Sequence, residues 1–385
     1  MADFDLIDLA HLRGVGGLKW TLFPETIGAF VAEMDFGTAP EVTEALHAAV
    51  DVGLFGYLPG SVSTAMSEAT AAWHRDRYGW DISAEQVHPV ADVLKALEVA
   101  IEHYSRPGAP VILPTPAYMP FLTVPPMLDR EIIQVPLLES EDGYRMDLDG
   151  LDAAYRAGGD LLILCNPYNP VGRVFSTDEL RAVADVVSRH GGRVFSNEIH
   201  APVVYPGSRH LPYASLSEVT AGHTITATSA SKAWNLPGLK CAQLIISNAA
   251  DAATWEPIAH HTSHGAANLG VIANTVAYTS GRPWLEHVLG YLDGNRRRLA
   301  ELVTEHLPGV RYRPPEGTYI AWLDCRQLDL DVPAADFFRE RAGVALTDGS
   351  DCGPAGAGFV RMVFATPSPI LEQAVTHMGE ALRRR

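Results

Sequence analysis

The sequence predicts an α/β fold in which a mostly parallel central sheet carries helices on both faces. Three observations predict it. From about residue 93, stretches of helical composition alternate with short apolar runs, the pattern of strands joined by crossover helices. Two of those runs, 223–228 and 242–246, are β-branched or aliphatic and read as buried strands. The chain has 385 residues, 47% hydrophobic and 19% charged, enough for a large core and more than one domain.

Residues up to about 40 read as irregular apart from an extended run at 28–32. Pro40 suits the first turn of a helix over 41–50. Gly53 to Pro59 breaks the pattern before a helix over 62–78. The alternation then predicts a helix at 93–104 and strands at 111–113, 132–136 and 160–165. Ser176 and Glu179 form a capping box that opens a helix closed by Gly191 or Gly192, and 193–196 follows as a strand. After about residue 269 long helical stretches take over, notably 284–306, then a Tyr- and Trp-rich segment at 318–323 and a last helix over 369–382. There is no internal repeat, low-complexity tract or Gly/Ser linker.

A formal net charge of −17 disfavours nucleic acid as a partner and makes any anion site depend on local positive charge. No apolar run approaches the roughly 20 residues of a membrane helix, and the start, Met1 to Asp5, is acidic rather than signal-like, so a cytoplasmic protein is expected. Cys165, Cys241, Cys325 and Cys352 lie far apart without a CxxC pair, which indicates neither zinc nor a disulfide framework. Of the 15 histidines, His260, His261 and His264 cluster, but in a spacing weak for a metal; no metal is expected.

The chemistry-bearing stretch runs from Thr228 to Lys240, between two buried strands. It places Lys232 among hydroxyls. A lysine held in that way shifts its pKa readily and suits a Schiff base with a carbonyl cofactor. Other motifs accompany it in order: Met34-Asp35-Phe36, Phe55-Gly56-Tyr57, Thr115-Pro116-Ala117-Tyr118, Asn166-Pro167-Tyr168-Asn169-Pro170-Val171-Gly172, Asn197-Glu198-Ile199-His200, Thr318 to Asp324 and Gly358-Phe359-Val360-Arg361.

Together these resemble the pyridoxal-phosphate enzymes of the aminotransferase class I/II superfamily, fold type I. Within it the chain is most similar to the cystathionine β-lyase-like carbon-sulfur lyases. The resemblance implies a large cofactor domain at 45–280, a small domain made of 1–44 and 281–385, and a homodimer with shared active sites. It implies that Lys232 anchors pyridoxal 5′-phosphate and moves the substrate's α-proton. The phosphate would lie on a helix N-terminus at the amides of Asp92 and Val93, with Ser229, Ser231, Lys240 and Tyr57 of the partner subunit around it. An Asp beside a phosphate is awkward, and Asp92 is expected to cap the helix with its carboxylate turned away. Tyr118 would stack on the ring, Asn169 would hydrogen-bond its O3′, and Arg361 would grip the substrate carboxylate, with Lys19 or Arg282 as substitutes. Asp35 and Tyr319 would contact substrate, and specificity would come from loops at 32–37 and 262–268 and the Trp234 region.

One position departs from the family pattern. Asn197 stands where relatives carry an aspartate that keeps the pyridine nitrogen protonated. An amide cannot supply that charge, so the ring would be a weaker electron sink. β-Elimination tolerates this better than transamination, because a thiolate leaving group drains negative charge from the substrate quickly. The expected activity is a carbon-sulfur β-lyase acting on an S-conjugated L-cysteine or cystathionine-like amino acid, releasing thiol, pyruvate and ammonia. Asn197 suggests a decarboxylating or O2-dependent oxidative deaminase as the alternative; an ordinary aminotransferase and a non-catalytic regulator come after it.

Overall fold

The computed structural model describes residues 3–140 and 143–384; Met1 and Ala2 of the acidic start lie outside them. Helix α1 (Leu9–Val15) is followed by α2 (Pro40–Asp51), which starts on Pro40, and by α3 (Gly60–Tyr78). Because α2 runs unbroken through residues 44 and 45, a division of the chain there would cut a helix.

Seven strands then build the main sheet: β1 (Val87–Val90), β2 (Val111–Thr115), β3 (Ile132–Pro136), β4 (Leu161–Cys165), β5 (Arg193–Asn197), β6 (Thr224–Thr228) and β7 (Ala242–Ile246). Their order is β1-β7-β6-β5-β4-β2-β3. All pairs are parallel except those of β7, which runs antiparallel to both neighbours. β1 therefore points the same way as the parallel strands. The alternation read from the sequence assigns no strand at 87–90, and Pro89, which lacks a ladder N–H, is unusual in one. The fold resolves this by giving β1 the edge, where a missing N–H is tolerated.

Helix α4 (Val93–His103) leaves β1, and α5 (Thr177–Arg189) begins at the capping box, with Glu179 N bonded to Ser176 Oγ at 3.2 Å and Ser176 N to Glu179 Oε2 at 2.8 Å. The interior strands β2, β4, β6 and β7 are buried along their whole length on both faces, as a covered sheet requires; β4 is wholly apolar, while β6 alternates Ile225 and Ala227 with three buried threonines. Helix Pro120–Met127, which has no counterpart among the elements expected from the sequence, holds Pro125 and Pro126 in its interior.

Beyond the sheet lie α6 (Asn268–Thr279) and the 25-residue α7 (Arg282–His306). A second, antiparallel sheet follows, made of β8 (Arg311–Tyr312), β9 (Ile320–Asp324), β10 (Thr347–Asp348) and β11 (Phe359–Val363) in the order β8-β9-β11-β10. Helix α8 (Ser368–Arg383) packs on α7. One apolar core fills the main sheet's faces; another joins Phe4, Leu12, Trp20 and Ile27 near the N-terminus to Leu371, Val375 and Met378 of α8. The extended run expected at 28–32 is a strand only over Ile27–Gly28, paired parallel with Val344–Ala345. Among the described residues, no helix is long and apolar enough to cross a membrane.

Candidate active site

The C-terminal ends of β1, β2, β4, β5 and β6 share one edge of the sheet, where ligands of open α/β sheets collect. The segments after these strands bring in Asp92, Tyr118, Asn169, His200 and Lys232 in turn, while Asn197 ends β5 itself. Arg361 arrives from the other side, on β11. Lys232, Arg361, Asn169, Asn197, Tyr118 and His200 line a common cavity of about 700 Å3. A smaller space of about 140 Å3 shares Lys232 and Tyr118 with it and is lined also by Asp92, Val93, Ser229, Ser231 and Lys240.

Lys232 Nζ donates to the Ala32 carbonyl at 2.9 Å. Burial, then the nearby Arg361 guanidinium, pulls its pKa down to about 8 despite Glu33. The loop carrying it is tied down twice. Asn274 Oδ1 accepts from Ala230 N at 2.9 Å, and Asn235 exchanges hydrogen bonds of 2.9 Å with both the N–H and the C=O of Met34. No sequence pattern singles out these two asparagines.

Arg361 is 2% exposed. Its Nη2 donates to the Phe30 carbonyl at 2.8 Å and its Nη1 to Asn169 Oδ1 at 3.3 Å, while Nε has no partner among the described residues. No carboxylate pairs with it among them, and burial lowers its pKa. A buried guanidinium with open hydrogen-bonding capacity, facing a cavity, is a receptor for an anion.

Asn197 Oδ1 accepts from Ile199 N at 3.3 Å, and its Nδ2 lies 3.6 Å from Cys165 Sγ. The next residue, Glu198, is buried and holds the turn: its carboxylate accepts from Ser196 Oγ at 2.8 Å and Tyr213 N at 3.0 Å and pairs with His210 Nε2 at 2.9 Å. That anchoring aims Asn197 and His200 at the cavity. Desolvation first, then Lys232 and Arg361, lowers the His200 pKa to about 3, so its ring is neutral. Tyr118 is half-buried, and burial raises its hydroxyl pKa.

At the smaller space Asp92 is the N-cap of α4. Its Oδ1 accepts from Leu94 N at 3.1 Å and Lys95 N at 2.9 Å, and its Oδ2 pairs with Lys240 Nζ at 2.9 Å. The carboxylate therefore caps the helix but also occupies the Lys240 ammonium. Ser229 is less available than its sequence position suggests, since its hydroxyl donates to the Cys241 carbonyl at 2.7 Å.

Several expected contacts lie elsewhere. Asp35 is not on the cavity wall: Lys19 Nζ at 2.7 Å and Trp20 Nε1 at 2.9 Å enclose its carboxylate in the interior. Lys19 is thereby committed as well, and Arg282 lies over the Trp73 ring. Tyr319 is wholly buried behind the wall, donating to the Ala32 carbonyl at 3.1 Å with its ring against His200. Trp234 is a core residue bonded to the Gly281 carbonyl, packed on Trp73 and Tyr278. Tyr57, expected to serve the partner subunit's site and not this chain's own, is 86% exposed and outside this cavity, its ring 5.6 Å from His264. The wall also contains residues with no sequence motif, among them Phe23, Phe30, Met119, Arg339 and Asp351. Among the described residues, no group of His, Cys, Asp and Glu is placed to hold a metal ion.

The fold and this cavity define a class of protein: an α/β enzyme with a lysine presented at the carboxyl edge of its sheet and an anion receptor opposite. Residues 30–378 match the model of the aminotransferase class I and II family, and the chain belongs to that family. It is 37% identical over 379 residues to a cystathionine beta-lyase of Corynebacterium glutamicum, covering 97% of this chain and 99% of that one. Identity is 31% to cystathionine beta-lyase PatB of Bacillus subtilis, with 96% and 97% covered. Among solved structures, cystalysin from Treponema denticola, which contains pyridoxal 5′-phosphate, superposes with a TM-score of 0.92 at 30% identity over 100% of this chain and 99% of that one. The PLP-bound C-S lyase from Staphylococcus hominis does so with 0.90 at 28% identity, covering 99% of each.

Proposed function

We propose that this chain is a pyridoxal-phosphate-dependent carbon-sulfur β-lyase that cleaves an S-substituted L-cysteine of the cystathionine type to a thiol, pyruvate and ammonia. The observation that carries it is the pairing, in one cavity, of the depressed amine of Lys232 with the unpaired buried guanidinium of Arg361. The relatives' names support the same reaction.

The residues present fit the cofactor. Lys232 would anchor it, the amides of Asp92 and Val93 with Ser231 and Lys240 would take its phosphate, Tyr118 would lie on its ring, and Asn169 and Asn197 would meet its edge polar atoms. When bound, the cofactor supplies an aromatic system that withdraws electrons from the substrate's Cα. Arg361 then holds the α-carboxylate, with Asn169 and the Phe30 carbonyl orienting its fork. Lys232, whose pKa near 8 leaves part of it as neutral amine at pH 7, takes the α-proton. The C–S bond breaks with its electron pair leaving on sulfur, and the enamine released hydrolyses to pyruvate and ammonia. Neutral His200 and buried Tyr319 back the Lys232 side of the wall without adding charge.

The small amino-acid substrate is matched by the cavity. A homodimer and the sharing of its sites are supported by the exposed apolar stretch Val50, Val52, Phe55 and Tyr57, from which Tyr57 would reach the phosphate of the partner's site. The four free, buried cysteines suit a reducing compartment such as the cytoplasm. A division into a cofactor domain over 45–280 and a smaller unit of 1–44 and 281–385 is supported by the second sheet, whose strands all come from 311–363, and by the packing of α8 on α7, with the first break moved to the start of α2; the apolar core of the smaller unit continues into Trp73, Trp234 and Tyr278 of the larger one.

Asn197 favours a second reading, an oxidative or decarboxylating deaminase of the same substrates, because the cavity offers no carboxylate at that position. Purified enzyme with cystathionine and S-alkyl cysteines should yield pyruvate and thiol in equal amounts. Oxygen uptake or carbon dioxide matching the turnover would overturn the lyase reading.

A further inference from the structure

The smaller space carries an inference of its own, which rests on the cofactor reading. A helix N-terminus offers four free amides, and here the Asp92 side chain already takes two of them, Leu94 and Lys95. The same carboxylate takes the Lys240 ammonium. Lys240 is 59% exposed in its side chain, so the pair adds little stability, and its position is better understood through the anion it faces.

Around this end the charged or titratable side chains are Asp92 and Lys95 on α4, Lys232, Lys240 and Cys241 between β6 and β7, Tyr118 after β2, and His264, whose neighbour Gly265 lies against Ala91; burial pushes the Cys241 thiol up to about 12, so it adds no charge. Lys95 is engaged by Glu98 at 3.0 Å and Lys232 is engaged at the far wall. A phosphate dianion would therefore meet Lys240 and a helix end worth about half a charge, together with a full carboxylate.

We propose that Asp92 sets the charge at which the cofactor's phosphate is held: the ester binds as the monoanion and donates its one proton to Asp92 Oδ2. Asp92 itself stays ionised. Burial raises its pKa, but the Lys95 amide, Lys240 and the Leu94 amide together lower it below the ordinary value. With Oδ1 filled by two amides and Oδ2 by one ammonium, a single acceptor position remains on Oδ2 for the ester's P–OH. Since the free ester loses its second proton near pH 6, binding at neutral pH takes up one proton from solvent, and that proton stays on the phosphate.

The test is 31P NMR of the holoenzyme between about pH 6 and 9, with the dissociation constant of pyridoxal phosphate measured by dialysis. In the wild type the resonance should lie at the monoanion position at neutral pH and move toward the dianion only well above the free ester's transition. In Asp92→Asn and Asp92→Ser, both of which keep an N-cap, it should lie at the dianion position throughout, and the cofactor should bind about tenfold more tightly, a 1.4 kcal/mol change. A wild-type resonance fixed at the dianion position, or a cofactor affinity unchanged in whichever variant folds, overturns the proposal. A wild type with neither a bound phosphorus signal nor visible absorbance overturns the cofactor reading, and this inference with it.

Discussion

Two buried cations in this protein behave in opposite ways. Lys19, 1% exposed, is closed on Asp35 at 2.7 Å, and Trp20 completes that carboxylate's shell. Arg361, 2% exposed, has only two carbonyl oxygens and a threonine hydroxyl near it, and one nitrogen with no partner among the described residues. Removing charge from water is costly, and a protein recovers that cost by pairing the charge internally or leaves it for a ligand to recover. Lys19 is an internal pair; Arg361 keeps an open nitrogen beside the cavity, which is why a receptor role is proposed for it. The same contrast separates Asp35, which is structure, from Asn169, which meets Arg361 in the cavity.

The largest effect should come from removing the amine that the receptor faces. Lys232→Ala should abolish turnover, and borohydride should no longer fix a pyridoxyl group to the protein; a reducible adduct persisting in that variant would move the anchor to another lysine. In the cofactor-free wild type, amine-directed labelling of Lys232 should rise with pH around a midpoint of about 8, because only the neutral amine reacts and burial lowers its pKa. A midpoint at the ordinary lysine value would mean that the cavity does not desolvate it.

Arg361→Ala should lower kcat/KM by the worth of a desolvated charge pair, about 2–5 kcal/mol, while cofactor absorbance stays intact. Stability should hold or improve, since the substitution deletes an unpaired buried charge. Unchanged kinetics would dissolve the contrast with Lys19.

Lys19→Met should do the reverse. It leaves Asp35 buried without its cation and should cost about 3–5 kcal/mol in urea unfolding, with a smaller change in kcat/KM. A companion Asp35→Asn that raised KM without loss of stability would return Asp35 to the substrate site.

The smallest change in rate, though not in outcome, is expected from Asn197→Asp. A carboxylate there favours a protonated ring nitrogen, so more turnovers should end in transamination, measured as pyridoxamine phosphate formed per pyruvate. An identical ratio in both proteins would show that position 197 does not select the reaction.

Local chemistry made much of the fold legible. The strand at 132–136, the strand at 242–246 and the Ser176–Glu179 cap depend on neighbours in sequence, and each lies where the sequence puts it. β1 and the helix Pro120–Met127 have no counterpart among the expected elements; both contain prolines, whose acceptability depends on edge position and packing, which are not local properties. Lys232, Arg361, Asn169, Asn197 and Tyr118 were legible as site candidates chiefly through motifs that resemble the family's, and one edge of the main sheet together with β11 gathers them in one cavity. Asp35 looked equivalent, in a motif as distinctive as theirs.

The sequence by itself determined the alternating elements and the lysine loop, because periodicity, caps and side-chain chemistry are written residue by residue, and its motifs carried the resemblance that nominated the cofactor-site candidates. Only the tertiary structure decided which charges are spent. Lys19 is 16 residues from Asp35 and Lys240 is 148 from Asp92, while Arg361 reaches no carboxylate among the described residues. Whether a buried ion is a strut or a receptor depends on what the fold brings within about 3 Å of it, and chain order does not encode that distance.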